Sequence, residues 1–119
     1  GASTGAYTTA NLIDLNWHHV AMVFDGSLTG DANRLKVFID GVQRTLTYQS
    51  AVPAATPSIA GVAAYVGKRG ADSTLPLTGS IDDVRIYARA LAGADVAELA
   101  SPSFVPASSP AGLSLSLSV

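Results

Sequence analysis

Residues 79–91, GSIDDVRIYARAL, carry an apolar run, Ile81, Val84 and Ile86, closed by Tyr87 and interrupted by Asp82 and Asp83. A strand sends successive side chains to opposite faces. One of the two aspartates therefore faces the same side as Val84 and Ile86. A charge there is costly unless something pairs with it. The segment thus bears on the fold and on an ion site at once. It is read as the last strong strand, over residues 78–87.

Downstream, residues 92–100 are the one expected helix, with Leu91, Val96 and Leu99 inward and Asp95 in the first turn, where its charge suits the helix dipole. Ala92 stands where a Ser or Thr cap is preferred, so the helix should start softly. From residue 101 the chain turns Pro- and Ser-rich and reads as a linker, and 113–119, LSLSLSV, alternates as a strand does. The expected organisation is a sandwich domain over residues 1–100, then linker and terminal strand over 101–119.

Upstream, the pattern is also β. Residues 7–13 read as a short strand and 17–24, WHHVAMVF, as a strong one. In the latter, the row of Val20, Met22 and Phe24 is the more apolar and is expected to face the core. A polar loop, DGSLTGDANR, follows over residues 25–34. Residues 35–40 and 42–48 form a hairpin about Asp40-Gly41, because a type I′ turn needs positive φ at both central positions. Pro53 and Pro57 mark a connection, and 63–68, AAYVGK, is a further strand.

The bulk numbers narrow the class. A chain of 119 residues fits one domain with a modest core. A net charge of −2 and a pI of about 5.4 favour neither nucleic acid nor anionic membrane. No apolar run approaches a membrane span. The absence of cysteine rules out disulfides and thiolate metal sites. GASTGAYTTA at the start has no signal-peptide pattern and no initiator Met, as expected of a processed protein or a piece of a longer one.

WHHVAMVFDGS, LKVFIDGVQ, AAYVGKR and GSIDDVRIYARALAGADVAEL, in that order, resemble the C-terminal part of a laminin-G-like domain of the concanavalin A-like lectin/glucanase superfamily. The likeness covers roughly residues 12–100 and closest matches the type found in bacterial secreted and cell-surface proteins. It implies an all-β fold, an antiparallel jelly-roll β-sandwich with one short C-terminal helix. Such a domain has several more strands before the tryptophan strand. The resemblance therefore implies a sandwich incomplete at its N-terminus, leaving Val20, Met22 and Phe24 as an exposed apolar patch. The missing strands belong to a longer precursor or to another chain, and residues 113–119 are a candidate donated strand.

The resemblance implies a structural Ca²⁺ bound by Asp82, completed by backbone carbonyls from elsewhere. Against it stands the plainer reading, in which Asp82 caps a turn or pairs with Arg85 or Arg69. The 25–34 loop is rich in oxygen donors but lacks the closing acidic residue of an EF-hand, and reads as a solvated hairpin loop. His18 and His19 point to opposite faces and cannot chelate one ion together, so His18 is expected to make an internal hydrogen bond and His19 to face a sheet surface. Tyr48 and Tyr65 are the aromatics best placed to meet a ligand, with Arg69 and Asp72 on a polar rim. Catalysis lacks its residues: a glycosidase needs two spaced carboxylates, and the one glutamate, Glu98, sits on the expected helix.

The expected function is non-catalytic recognition or adhesion outside the cell, with a glycan or extracellular protein as partner, no nucleic acid and no membrane insertion. Two rivals stand beside it. One is a structural spacer or a subunit that self-associates by strand exchange. The other is a fragment of a glycoside hydrolase whose catalytic residues lie upstream.

Overall fold

The computed structural model describes residues 5–10, 12, 14–56, 61, 65–68 and 76–101. In chain order the elements are β1 (Ala6–Tyr7), β2 (Val20–Phe24), α1 (Asp31–Arg34), β3 (Leu35–Ile39), β4 (Val42–Arg44), β5 (Thr47–Tyr48) and α2 (Gly93–Leu99). They make two antiparallel sheets, β2-β3-β4 and β1-β5.

The expected hairpin forms. Asp40 and Gly41 adopt φ of 52° and 76°, the left-handed pair that the turn demands. Its return strand does not run unbroken over residues 42–48. It pairs with β3 as far as Arg44, breaks, and resumes at Thr47 against β1. The break carries the chain from one sheet to the other. Of the expected 7–13 strand, Tyr7 alone is paired among the described residues, together with Ala6 just before it.

Pairing of Val20 with Ile39 and of Met22 with Val37 puts Val20, Met22, Phe24, Leu35, Val37, Ile39 and Val42 on one face of the larger sheet. Ala21, Val23 and Phe38 lie on the other. The core forms on this second face, where α2 docks: Val23, Phe38 and Val96 make one buried cluster, with Ala21 and Leu91 packed against it. The row expected to face a core is the open one, as an incomplete sandwich implies, and α2 covers the other. Val20 and Met22 are 57% and 72% exposed, and the smaller Ala21–Val23 row is the covered one. On the open face, Ile39 alone is fully buried, in the middle strand opposite Val20 and Val42.

The 25–34 loop is more ordered than a solvated loop. Asp25 N–H donates to the Arg34 carbonyl at 2.8 Å and closes it, and α1 forms inside. Asp31 and Arg34 then capture the next connection. Asp31 Oδ1 accepts the Val52 N–H at 2.8 Å, and Arg34 Nη1 donates to the Val52 carbonyl at 3.0 Å. Both main-chain groups of buried Val52 are satisfied by one helical turn.

Two further strands are corrected. Residues 76–91 have no ladder partner among the described residues, and Ile81, Val84, Ile86 and Tyr87 are exposed. Asp83 has a φ of 54°, which breaks the pleat in mid-segment. Of the expected 63–68 strand, residues 63 and 64 lie outside the described residues and 66–68 form bends, with Gly67 at a φ of 78°. A Cβ at Gly67 would stand 2.9 Å from Ile81 Cδ1, so the two segments approach through a residue that only glycine suits.

Helix α2 forms where expected. Ala92 has no side-chain oxygen, so only the return half of a capping box exists: Ala92 N–H donates to Asp95 Oδ2 at 3.3 Å. Arg89 Nη1 donates to the same oxygen at 3.1 Å. No helix among the described residues is long and apolar enough to cross a membrane.

Candidate functional site

The densest polar constellation lies where the segment entering β2 meets the Asp40-Gly41 turn. His18 Nδ1 is 2.8 Å from Asp40 Oδ2, and His18 Nε2 is 3.0 Å from Asp14 Oδ1. His19 N–H donates to Asp40 Oδ1 at 3.0 Å, and Asp40 N–H donates to the His19 carbonyl at 2.8 Å. The internal hydrogen bond expected of His18 is thus a double one. Both carboxylates draw the imidazole above its ordinary range, Asp40 most strongly. Asp14 is held below the usual carboxylate range by the Asn16 N–H first and then by His18. Asp40 is held low chiefly by His18. The composition of this cluster is readable afterwards: Asp14 sits four residues before His18, and Asp40 ends the strand that pairs with β2.

Of the four ligand residues named from sequence, the structure describes Tyr48 and Tyr65. Tyr48 is half-buried in β5, and its hydroxyl donates to the Leu35 carbonyl at 3.0 Å. Burial, helped by the Asp31 charge, pushes that phenol up. Tyr48 therefore ties the two sheets together. Tyr65 is 39% exposed, with the Lys68 ammonium 4.8 Å from its ring centroid. A sugar stacking on that face would displace a contact worth about 0.5–1 kcal/mol at an exposed site. Arg69 and Asp72 lie outside the described residues.

Asp82 is exposed, and its Oδ1 accepts the N–H of Asp83 at 2.8 Å. Asp83, not Asp82, takes Arg85, through two bonds of 2.9 and 2.7 Å. Calcium needs six to eight oxygens. Among the described residues no group of three or more His, Asp or Glu side chains is arranged to hold a metal ion, so a calcium at Asp82 would draw its other oxygens from backbone carbonyls, as the resemblance implies.

A shallow cleft that sequence reasoning missed runs between residues 87–91 and α2. It has a volume of about 190 Å³ and is lined by Tyr87, Arg89, Leu91, Asp95, Glu98 and Leu99. That is below the roughly 300–1,000 Å³ of small-molecule pockets. Arg89 and Asp95 are already paired across it.

Mostly β structure in two antiparallel sheets, with one short C-terminal helix, agrees with a concanavalin A-like β-sandwich. The chain belongs to the concanavalin A-like lectin/glucanases superfamily, in its laminin-G form, whose pattern matches residues 1–97. It is also similar to the crystal structure of an S-layer domain-containing protein from Clostridium thermocellum, at 26% identity and a TM-score of 0.54. That match covers 79% of this chain and 43% of the other, so the chain spans less than half of that structure. Among curated proteins there is no match.

Proposed function

We propose that the chain is a non-catalytic recognition module of a cell-surface or extracellular protein, and that it binds a glycan or a protein partner. The observation that carries this reading is the superfamily match over residues 1–97, and the likeness to an S-layer domain-containing protein supports the location. The chemistry agrees. Glycoside hydrolysis uses two carboxyl groups roughly 5–9.5 Å apart across a sugar. The single glutamate, Glu98, is on α2, and Asp14 and Asp40 are both spent on His18. Tyr65, 39% exposed, is one of the aromatics open to a sugar ring, beside Trp17, Tyr7 and Tyr87. The test is a glycan array and an extracellular-protein pull-down with the full chain, repeated with Tyr65→Ala. Hits that weaken at least about tenfold in the variant, a loss of some 1.4 kcal/mol, are the expected result. Hits indifferent to Tyr65 would remove Tyr65 from the site, and no hits on either platform would overturn the reading.

A second reading, a structural module that associates with complementing strands or with copies of itself, is favoured by the open face at Val20, Met22 and Val42. Light scattering over a concentration series separates the two: growth without ligand favours association.

A further inference from the structure

We propose that His18 is an imidazolium latch, clamped between Asp14 and Asp40, that fastens the segment entering β2 to the β3–β4 turn and releases it as the ring loses its proton. A carboxylate only accepts hydrogen bonds, and a neutral imidazole has one donor nitrogen and one acceptor. With Asp40 at 2.8 Å from Nδ1 and Asp14 at 3.0 Å from Nε2, both nitrogens must carry hydrogen for both contacts to be bonds. The neutral ring can keep only one of them, and its bare nitrogen would then face a carboxylate.

The groups facing the ring are few. Asp14 comes from its own segment and Asp40 from the turn, while the charge of Arg44 on β4 acts weakly on Asp40. Helix α2 meets the same turn through Ala97 and Ala100, which carry no charge. The folded imidazole titrates above its ordinary 6.5, so its contribution is complete below 6.5 and is lost as pH rises through the raised value. The two aspartates titrate below 3.8, so theirs is complete above 3.8 and is lost as pH falls through the lowered values. The latch is therefore shut between those limits. In the neutral Nε2–H tautomer the ring keeps Asp14 and turns its bare Nδ1 toward Asp40 Oδ2, so the bond between the segment and the turn is lost and the carboxylate whose Oδ1 holds the His19 N–H is repelled; the register between β2 and β3 then loosens at the end that carries α2.

The test is nitrogen NMR of the His18 ring in the full chain, between about pH 5 and 8. Two N–H groups at pH 6.5 and a midpoint above 6.5 are expected. The exposed Asp14→Asn variant should lower the midpoint while the chain stays folded. The hydrogen-exchange protection of the His19 amide should fall in step with the neutral fraction of His18, and should lose that dependence in His18→Gln. A neutral ring at pH 6.5, a midpoint unmoved in Asp14→Asn, or His19 protection indifferent to His18 would each overturn the latch.

Discussion

Phe38 of β3 and Val96 of α2 bury one another, at 4% and 0% exposure, and with Val23 they are the only cluster of buried apolar side chains among the described residues. Helix α2 has seven residues, too few to hold its shape alone in water. Its order comes from this contact. Phe38→Ala should cost about 3–5 kcal/mol. In urea unfolding the midpoint should fall sharply, and the helical circular dichroism should go with it. A variant that keeps its helical signal would mean that α2 is held elsewhere.

Gly41 joins two demands at one position. Its φ of 76° disfavours a side chain, and a Cβ there would stand 3.1 Å from Ala97 Cα and 3.3 Å from Ala100 Cβ. Gly61 has a φ of 80°, and among the described residues nothing stands within 4 Å of a Cβ placed there. Gly61→Ala should therefore lose only the conformational part, roughly 1–2 kcal/mol. Gly41→Ala should lose more, because α2 must also move. Equal urea midpoints for the two variants would show that the turn and the helix are not in contact.

That turn was legible in the sequence because Asp-Gly between two apolar runs has a single cheap geometry. Helix α2 was legible because Val96 and Leu99 keep helical spacing before a Pro- and Ser-rich stretch. The buried face of β2 was not. An alternation of period two says that there are two faces, and the richer row, Val20, Met22 and Phe24, is the one an incomplete sandwich leaves open, which does not say what covers the other. Which row is covered depends on where a helix seventy residues later docks, and Ala21 and Val23 carry no local mark of it. The apolar residues 81–87 were visible too, but a ladder needs a partner strand, and the turn at Asp83 follows from backbone geometry that no alternation reveals. Of the site, the type of each residue was legible and the company it keeps was not. Asp14, His18 and Asp40 meet only after β2 pairs with β3.

Asp31 illustrates a contact in a segment that composition marks as loop. Its carboxylate accepts the N–H of Val52, twenty-one residues away, while Arg34 donates to the carbonyl of the same residue. Asp31→Ala leaves a half-buried N–H without its acceptor, at a cost of about 1–3 kcal/mol. Hydrogen exchange should report this first at the Val52 amide, with the hairpin amides of β3 and β4 little changed. Uniform loss of protection across the chain would instead mean that α1 anchors the whole fold.

Met22 and Val23 are adjacent on β2 and face opposite ways, one 72% and the other 8% exposed. Lysine at each position reads out the two faces separately. At Val23 it places an unpaired charge against Phe38 and Val96, and a loss beyond about 4 kcal/mol is expected, enough to unfold a domain of this size. At Met22 the new charge reaches water, and the urea midpoint should stay within about 0.5 kcal/mol of the parent. The Met22→Lys chain is then the probe for what the open face does. If copies of the chain meet there, the lysines of facing copies repel, and light scattering should show a smaller particle than the parent at equal concentration, in a salt-dependent way. If the face is simply solvated, the two particles should be the same size. A destabilised Met22→Lys beside a tolerated Val23→Lys would reverse the assignment of the core.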